Sequence, residues 1–379
     1  MRRFELIATA AFGLEAVVAK ELKELGYADQ MVENGRVTFW GDEEAICRAN
    51  LWLRAADRVL LKVGEFTALT FDELFEKTKA LPWTEWLPEN AEFPVTGKSV
   101  KSRLFSVPDC QAIVKKAVVE KMKEKYRTSW FQENGPRCKV EVGLLKDRAT
   151  LTLDTSGAGL HKRGYRRLTG TAPLRETLAA ALVLLSKWPA DKVLADPFCG
   201  TGTIPVEAAL IGLNIAPGLG REFDAGRWPR IPGVLWDKTR EEARGAAARD
   251  RVLRVIGTDQ DENAISQARY HARQAGVESQ IHFQRTAFAE FRSRFDQGYV
   301  ICNPPYGERL GEVRQAEELY REMRRVFAGL DGWSISVLAA HPDFEKLFGR
   351  QADKKRKLYN GRIQCNLYQY SGLQAQKAP

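Results

Sequence analysis

The sequence is poor in the residues that build metal centres, disulfides and membrane spans. It has four histidines, His161, His271, His282 and His341, scattered and without ligand spacing, so no metal is expected. The six cysteines, Cys47, Cys110, Cys138, Cys199, Cys302 and Cys365, form no Cys-x-x-Cys pair. Reduced thiols are the expectation. Cys199 and Cys302 adjoin candidate ligand loops, yet neither has a neighbouring base to raise a thiolate, so thiol catalysis is not expected. The longest apolar stretch, around Leu178 to Leu185, is far too short to span a bilayer. Met1-Arg2-Arg3-Phe4-Glu5-Leu6 leads straight into a strand-like run rather than a signal-peptide core, so a cytoplasmic location is expected. No internal repeat or low-complexity segment stands out.

What is present fits a soluble globular protein of two or three domains. The chain has 379 residues with 44% apolar and 28% charged side chains, an ordinary globular balance. The net charge of +9 is unevenly placed. Residues 98–167 hold 17 basic and 7 acidic side chains, whereas residues 1–97 hold 11 basic and 17 acidic. A basic middle beside an acidic start suits a polyanion partner.

The first half reads as small mixed α/β modules rather than one large sheet. Strands are expected at 4–10, 36–40, 59–63 and 100–105, and as a pair across 139–154 that turns at Lys146-Asp147. Helices are expected at 14–25, after an Asp42 cap, near 71–79 and over 110–125. The last of these carries Lys115, Lys116, Lys121, Lys123 and Lys125 on its polar side, candidates for contacts to a polyanion.

Beyond Gly170 strands and helices alternate, the signature of an open, mostly parallel sheet. A helix is expected from Pro173 to Ser186, then strands at 192–195, 254–257, 281–284, 298–302 and 334–338, with helices between. Two final strands flank Tyr359-Asn360-Gly361, where Asn-Gly favours a tight turn. An antiparallel hairpin at the edge of a parallel sheet departs from the plain dinucleotide-binding fold. The long link after the first of these strands contains Arg221 and Arg227. It is expected to supply a lid or substrate surface, the arginines meeting phosphates or pairing with Glu222 or Asp224.

Asp196-Pro197-Phe198-Cys199-Gly200-Thr201-Gly202-Thr203 follows the first strand and opens a helix. Gly200 and Gly202 permit a tight turn and close approach of a ligand to the backbone. The run lacks the Gly-x-Gly-x-x-Gly spacing and the Lys-Ser/Thr pair of phosphate-binding loops. Asp196 would repel a pyrophosphate but suits a ligand with an ammonium and a sulfonium. Asp259 ends the next strand, placed to accept from ribose hydroxyls or to cap the following helix. Ala287-Phe288, after the third strand, is expected near the ligand's adenine.

Asn303-Pro304-Pro305-Tyr306-Gly307 follows the strand at 298–302. An amino group on a purine is a poor nucleophile because its lone pair is delocalised into the ring. The Asn303 amide oxygen and the Pro304 carbonyl could accept its two hydrogens and favour the developing sp³ nitrogen. Tyr306 offers a face for a flipped base. The same acceptors suit guanine N2 and adenine N6 equally.

With these motifs the chain resembles the bacterial THUMP-domain class I RNA methyltransferases, in particular those acting on a guanine N2 of 23S rRNA. Asp196 to Ala209 and Asn303 to Arg309 carry the likeness, supported by His161-Lys162-Arg163-Gly164-Tyr165-Arg166, Pro173 to Ala179, Asn214 to Leu219 and Leu358 to Gly361. The resemblance covers almost the whole chain. It implies a ferredoxin-like region over 1–60, a THUMP RNA-binding domain over 61–155, and over 156–379 a Rossmann-like α/β methyltransferase domain ending in an antiparallel hairpin. It implies S-adenosylmethionine as cofactor, held by Asp196, Phe198, Gly200, Gly202 and Asp259. Catalysis would fall to Asn303, Pro304 and Tyr306, and Arg163 and Arg166 would join the lysines in binding structured RNA, 23S rRNA or a ribosome assembly intermediate. Neither a membrane nor a protein partner is implied. Alternatives are a tRNA guanine-N2 enzyme, an adenine-N6 enzyme, and a non-catalytic RNA-binding assembly factor.

Overall fold

The structure is a computed structural model and describes residues 3–168, 174–307 and 312–372. Contacts divide the chain into two compact units. One comprises Met1–Ala10, Val18–Leu160 and Arg221–Glu242; the other comprises Ala11–Val17, His161–Gly220 and Ala243–Pro379.

In the first unit the order is β1 (Phe4–Ala10), α1 (Glu15–Glu24), β2 (Gln30–Glu33), β3 (Arg36–Gly41), α2 (Glu43–Trp52), β4 (Ala56–Thr67), α3 (Phe71–Lys79), β5 (Val95–Val100), α4 (Val107–Tyr126), β6 (Val140–Leu145) and β7 (Arg148–Asp154). The Asp42 side chain caps α2 by accepting from the Ala45 N–H at 3.1 Å. The strands form one seven-stranded sheet, β2-β3-β1-β4-β7-β6-β5, which corrects the reading of separate small modules. The reason is the length of β4. Its twelve residues are enough to pair β1 through Ala56–Leu61 and β7 through Leu60–Thr67, with a register shift between Lys62 and Gly64.

A second correction concerns 100–105. The strand there is β5, which ends at Val100; Lys101 takes φ 51° and turns the chain out of the sheet. Alternation of apolar side chains mimicked a strand where side-chain hydrogen bonds hold a loop. The small strand β2 had no clear signal.

The long link also behaves differently from the expected lid. Its residues Arg221–Glu242 belong to the first unit. The Arg221 guanidinium donates to the Gly159 and Ala158 carbonyls at 2.7 and 2.5 Å, and the Trp228 indole donates to Arg137 at 2.8 Å. Arg230 meets Glu85 and Glu43 at 3.1 and 3.4 Å. Arg221 is thus committed to backbone carbonyls rather than phosphates, and the segment braces the unit. Arg227 stays exposed.

In the second unit come α5 (Glu176–Ser186), β8 (Val193–Asp196), α6 (Thr203–Gly212), then α7 (Gly233–Gly245), which bridges the division, β9 (Val255–Asp259), α8 (Glu262–Gln274), β10 (Ile281–Arg285), β11 (Gly298–Cys302), α9 (Glu312–Phe327), β12 (Ser334–Ala339), α10 (Phe344–Phe348), β13 (Lys354–Asn360) and β14 (Ile363–Tyr370). Pro173, expected to open α5, lies outside the described residues, as do Glu308 and Arg309 of the second motif. The sheet order is β10-β9-β8-β11-β12-β14-β13. Its first five strands are parallel, and β14 and β13 add the antiparallel edge. The hairpin turns on Gly361-Arg362, one residue later than expected, because Asn360 still pairs with Ile363 and Gly361 takes φ 64°. Phe327, Phe344, Phe348, Tyr368 and Tyr370 form an aromatic core beneath α9 and α10.

Strand order reverses between β8 and β11, and the loops after both open at the carboxyl edge of the sheet, where folds of this kind bind ligands. At the opposite end of these two strands Gly298 lets β11 lie tightly beside β8: a Cβ would come within 2.5 Å of Val193 and 2.6 Å of Trp333. Gly298→Ala is expected to cost about 1–3 kcal/mol through overpacking, read as a lower urea midpoint at unchanged slope.

Candidate active site

Two adjoining hollows of about 740 and 450 Å³ open at this edge, and both are lined by Phe198, Asp259 and Asn303. The structure therefore brings together the ends of β8, β9 and β11, as the motifs required.

Asp196 ends β8 and is 1% exposed. One of its carboxylate oxygens accepts from the Phe198 N–H at 3.1 Å. Burial, joined by the nearby charge of Asp259, holds its carboxyl well above the usual range. Among the described residues it makes no ion pair. Asp259 closes the turn from the next strand: Oδ2 accepts from the Gly200 N–H at 2.9 Å and Oδ1 from the Asp261 N–H at 3.0 Å. Helix α8 is capped instead by Asp261, whose side chain accepts from Asn263 N–H at 2.9 Å. A carboxylate has about four acceptor sites, so Asp259 retains capacity for a ligand.

The two glycines do different jobs. Gly200, at φ 52°, faces open space where a Cβ would stand. Gly202, at φ 84°, packs against Ala268 and Phe283, and a Cβ would lie 2.9 Å from the Ala268 Cβ. Gly200 clears the ligand side; Gly202 seats the turn on α8 and β10. His271, missed because a lone histidine carries no pattern, supports the same turn. Its Nδ1 donates to the Thr201 carbonyl at 3.0 Å, and burial lowers its pKa.

Phe198 and Phe288 form a tilted ring pair with centroids 4.5 Å apart on the cleft wall, and Ala287 lines the same hollow. Across from them, Asn303 follows β11. The Tyr306 hydroxyl donates to the Asn303 Oδ1, and burial keeps that phenol protonated by raising its pKa. Tyr320 of α9, fully buried, donates to the Pro305 carbonyl at 2.9 Å. Among the described residues no donor takes the Pro304 carbonyl. Asn360, Gly361 and Ile363 of the hairpin complete the wall beside Tyr306.

Arg163 and Arg166 are not surface contacts, which corrects their assignment to RNA. Arg163 is 5% exposed, its Nε 3.5 Å from Glu207, and Tyr165 donates to the same carboxylate at 3.0 Å. Arg166 donates to the Thr203 hydroxyl and the Leu174 carbonyl at 3.0 and 2.7 Å and pairs with Glu176 at 3.4 Å. They neutralise carboxylates that α5 and α6 carry into the core. In the first unit, the α4 lysines are largely engaged: Lys115 with Glu133, Lys121 with Glu124, Lys123 with Glu120, and Lys125 with the Thr84 carbonyl. Lys116 is exposed, 5.6 Å from the Phe75 ring.

A 3-2-1-4-5-7-6 sheet with an acidic glycine turn on its first strand and Asn-Pro-Pro-Tyr on its fourth is that of a class I methyltransferase. Comparisons with known proteins narrow the class. Residues 163–369 match the RMKL-like methyltransferase domain, residues 5–60 the RlmL ferredoxin-like domain, and residues 68–154 the THUMP domain. YpsC of Bacillus subtilis is 52% identical over 372 residues, covering 98% of this chain and 96% of its own. The ribosomal RNA large subunit methyltransferase K/L of Syntrophotalea carbinolica is 35% identical over 99% of this chain, which spans 55% of that larger protein. Two crystal structures share the fold with a TM-score of 0.94. One is described as a predicted N6-adenine-specific DNA methylase of Listeria monocytogenes, 55% identical over 98% of this chain and 97% of that one. The other is SMU.472, complexed with SAH, 47% identical over 99% of both chains. The chain belongs to the RlmL-type family of THUMP-containing RNA methyltransferases, and it is an S-adenosylmethionine-dependent enzyme.

The residues present fit that cofactor. A buried carboxylate without a cation, a glycine turn open on one side and a flat apolar wall complement a ligand that is cationic at one end and aromatic at the other. No helix of the described residues is long and apolar enough to cross a membrane.

If Arg163 is a core counter-ion, Arg163→Ala leaves Glu207 buried and under-compensated. A loss of about 3–5 kcal/mol is expected in chemical denaturation. A variant of parental stability with weakened RNA binding would restore the phosphate-contact role.

Proposed function

We propose that the enzyme methylates the exocyclic N2 amino group of a guanine in large-subunit ribosomal RNA. The observation that carries the chemistry is the pair of acceptors at the end of β11: an Asn303 amide oxygen oriented by the Tyr306 hydroxyl, beside a Pro304 carbonyl that takes no donor among the described residues. Two acceptors match the two hydrogens of an aromatic amino group. Drawing on both hydrogens localises the nitrogen lone pair and turns it toward the methyl donor. Because Tyr306 donates to Asn303, the amide oxygen is fixed before the base arrives, and its second lone pair remains for the substrate.

In this reading Asp196 receives the cationic end of the cofactor, Asp259 accepts from ribose hydroxyls, and Phe198 with Phe288 packs against the adenine. S-adenosylmethionine supplies an electrophilic methyl group on a positively charged sulfur. Asn303 carries no charge and cannot serve as a strong base, so the amine proton passes to water after transfer. Asn360 and the hairpin turn shape the far side of the base pocket. Ribosomal RNA is favoured by the name of the K/L relative, and an RNA substrate by the THUMP match. Adenine N6 is the second reading, because the same acceptors suit it and the Listeria structure is described in those terms.

Asn303→Ala is expected to lower turnover about 10²–10³-fold, as removal of one preorganised polar contact does, with cofactor affinity changed less than about threefold in calorimetry. Tyr306→Phe, which frees the amide oxygen, should lose part of that factor. Mass mapping of ribosomal RNA after reaction with isotope-labelled cofactor should place the label on guanine N2. Label confined to adenine N6 overturns the base assignment.

The Asp196 carboxyl, raised by burial, is stabilised in its charged form when a cation binds against it. Cofactor binding should therefore expel a proton, and affinity should rise with pH through the free protein's Asp196 pKa. Calorimetric heats should differ between buffers of unlike ionisation enthalpy; equal heats would remove Asp196 from the cationic subsite.

A further inference from the structure

One end of the first unit's sheet presents an aromatic ring to water from a hydrogen-bonded loop. After β5, Ser102 Oγ donates to the Val100 carbonyl at 3.2 Å and accepts from the Asp147 N–H at 3.0 Å. Asp147 Oδ1 accepts from the Arg103 N–H at 2.7 Å, and Ser99 Oγ donates to the Leu104 carbonyl at 2.7 Å. Leu104 is the buried anchor, and Phe105 beside it is 81% exposed. Val100 and Leu145, partners in the β5–β6 register, are also more than half exposed at this end. A large apolar side chain left in solvent on a hydrogen-bonded loop, among other exposed apolar groups, marks an interaction surface.

The charge around it selects the partner. Lys101, Arg103 and Lys146 are exposed, and among the described residues none has an acidic partner. Asp147, beside Lys146 in the sequence, is engaged through Oδ1 with the Arg103 N–H. A protein surface of mixed sign has little use for three unpaired cations around a single acid. An unpaired stretch of nucleic acid does, because its bases stack on aromatic faces while its phosphates seek ammonium and guanidinium groups. We infer that Phe105 is a stacking platform for an unpaired base of the RNA, with Lys101, Arg103 and Lys146 meeting the adjoining phosphates.

This rests on the reading of RNA as the substrate, but not on which base is methylated. The test uses the full chain and a fluorescein-labelled twelve-nucleotide oligoadenylate. Stacking on one aromatic ring predicts that Phe105→Ala and Phe105→Leu bind about 5- to 150-fold more weakly, whereas Phe105→Trp binds at least as well as the parent. Lys146→Ala should flatten the dependence of log affinity on log salt by about 0.7. Denaturation midpoints should be unchanged throughout, since the ring is on the surface. With ribosomal RNA as substrate, Phe105→Ala should raise KM and leave kcat intact. Parental oligonucleotide affinity in Phe105→Ala overturns the proposal and points to a protein partner for the patch. Equal weakness in the alanine and tryptophan variants overturns stacking. A wrong base assignment shows separately, as a different methylated nucleoside from the parent enzyme with these affinity ratios unaltered.

Discussion

A carboxylate buried without a counter-ion is the constraint on which the methyltransferase unit turns. Asp196 cannot be solvated where it sits, and a lone backbone N–H does not compensate a full charge. The surrounding structure concentrates the problem. Asp259, held by the Gly200 and Asp261 amides, adds a second acid at the end of the neighbouring strand. Strong hydrogen bonds, a histidine and a close-packed glycine hold the turn in this shape. Such an arrangement suits a ligand that brings positive charge of its own.

The same unit handles its other buried acids in the opposite manner. Glu207 and Glu176 receive Arg163 and Arg166 from within the chain. The contrast separates two kinds of buried acid: those paired with an arginine of the chain and one, Asp196, with no ion pair among the described residues. Both arginines belong to a stretch that reads as a basic surface motif, and only packing reveals that they face inward.

Much of the site was legible in the chain because it depends on local order. The acidic glycine turn and Asn303-Pro304-Pro305-Tyr306 each sit between a strand and the segment that follows, so period and motif placed them together. What escaped depends on contacts distant in sequence. His271 reaches Thr201 across 70 positions, and Tyr320 fixes Pro305 from a helix whose sequence announces only an apolar stripe. The loop at 101–105 was mistaken for a strand because alternation is blind to a serine and an aspartate that hydrogen-bond the backbone. The single sheet of the first unit was hidden for a related reason: pairing of β4 with β7 is non-local, and composition contains no trace of it.

That shared strand has an architectural consequence. The ferredoxin-like match ends at residue 60 and the THUMP match begins at 68, so the seam between the two matched modules falls within the second half of β4. Dividing the protein there would expose a raw sheet edge on both fragments, and open edges invite aggregation. The two modules are therefore joined by a shared strand rather than by a linker, and one continuous ladder of hydrogen bonds runs across the seam.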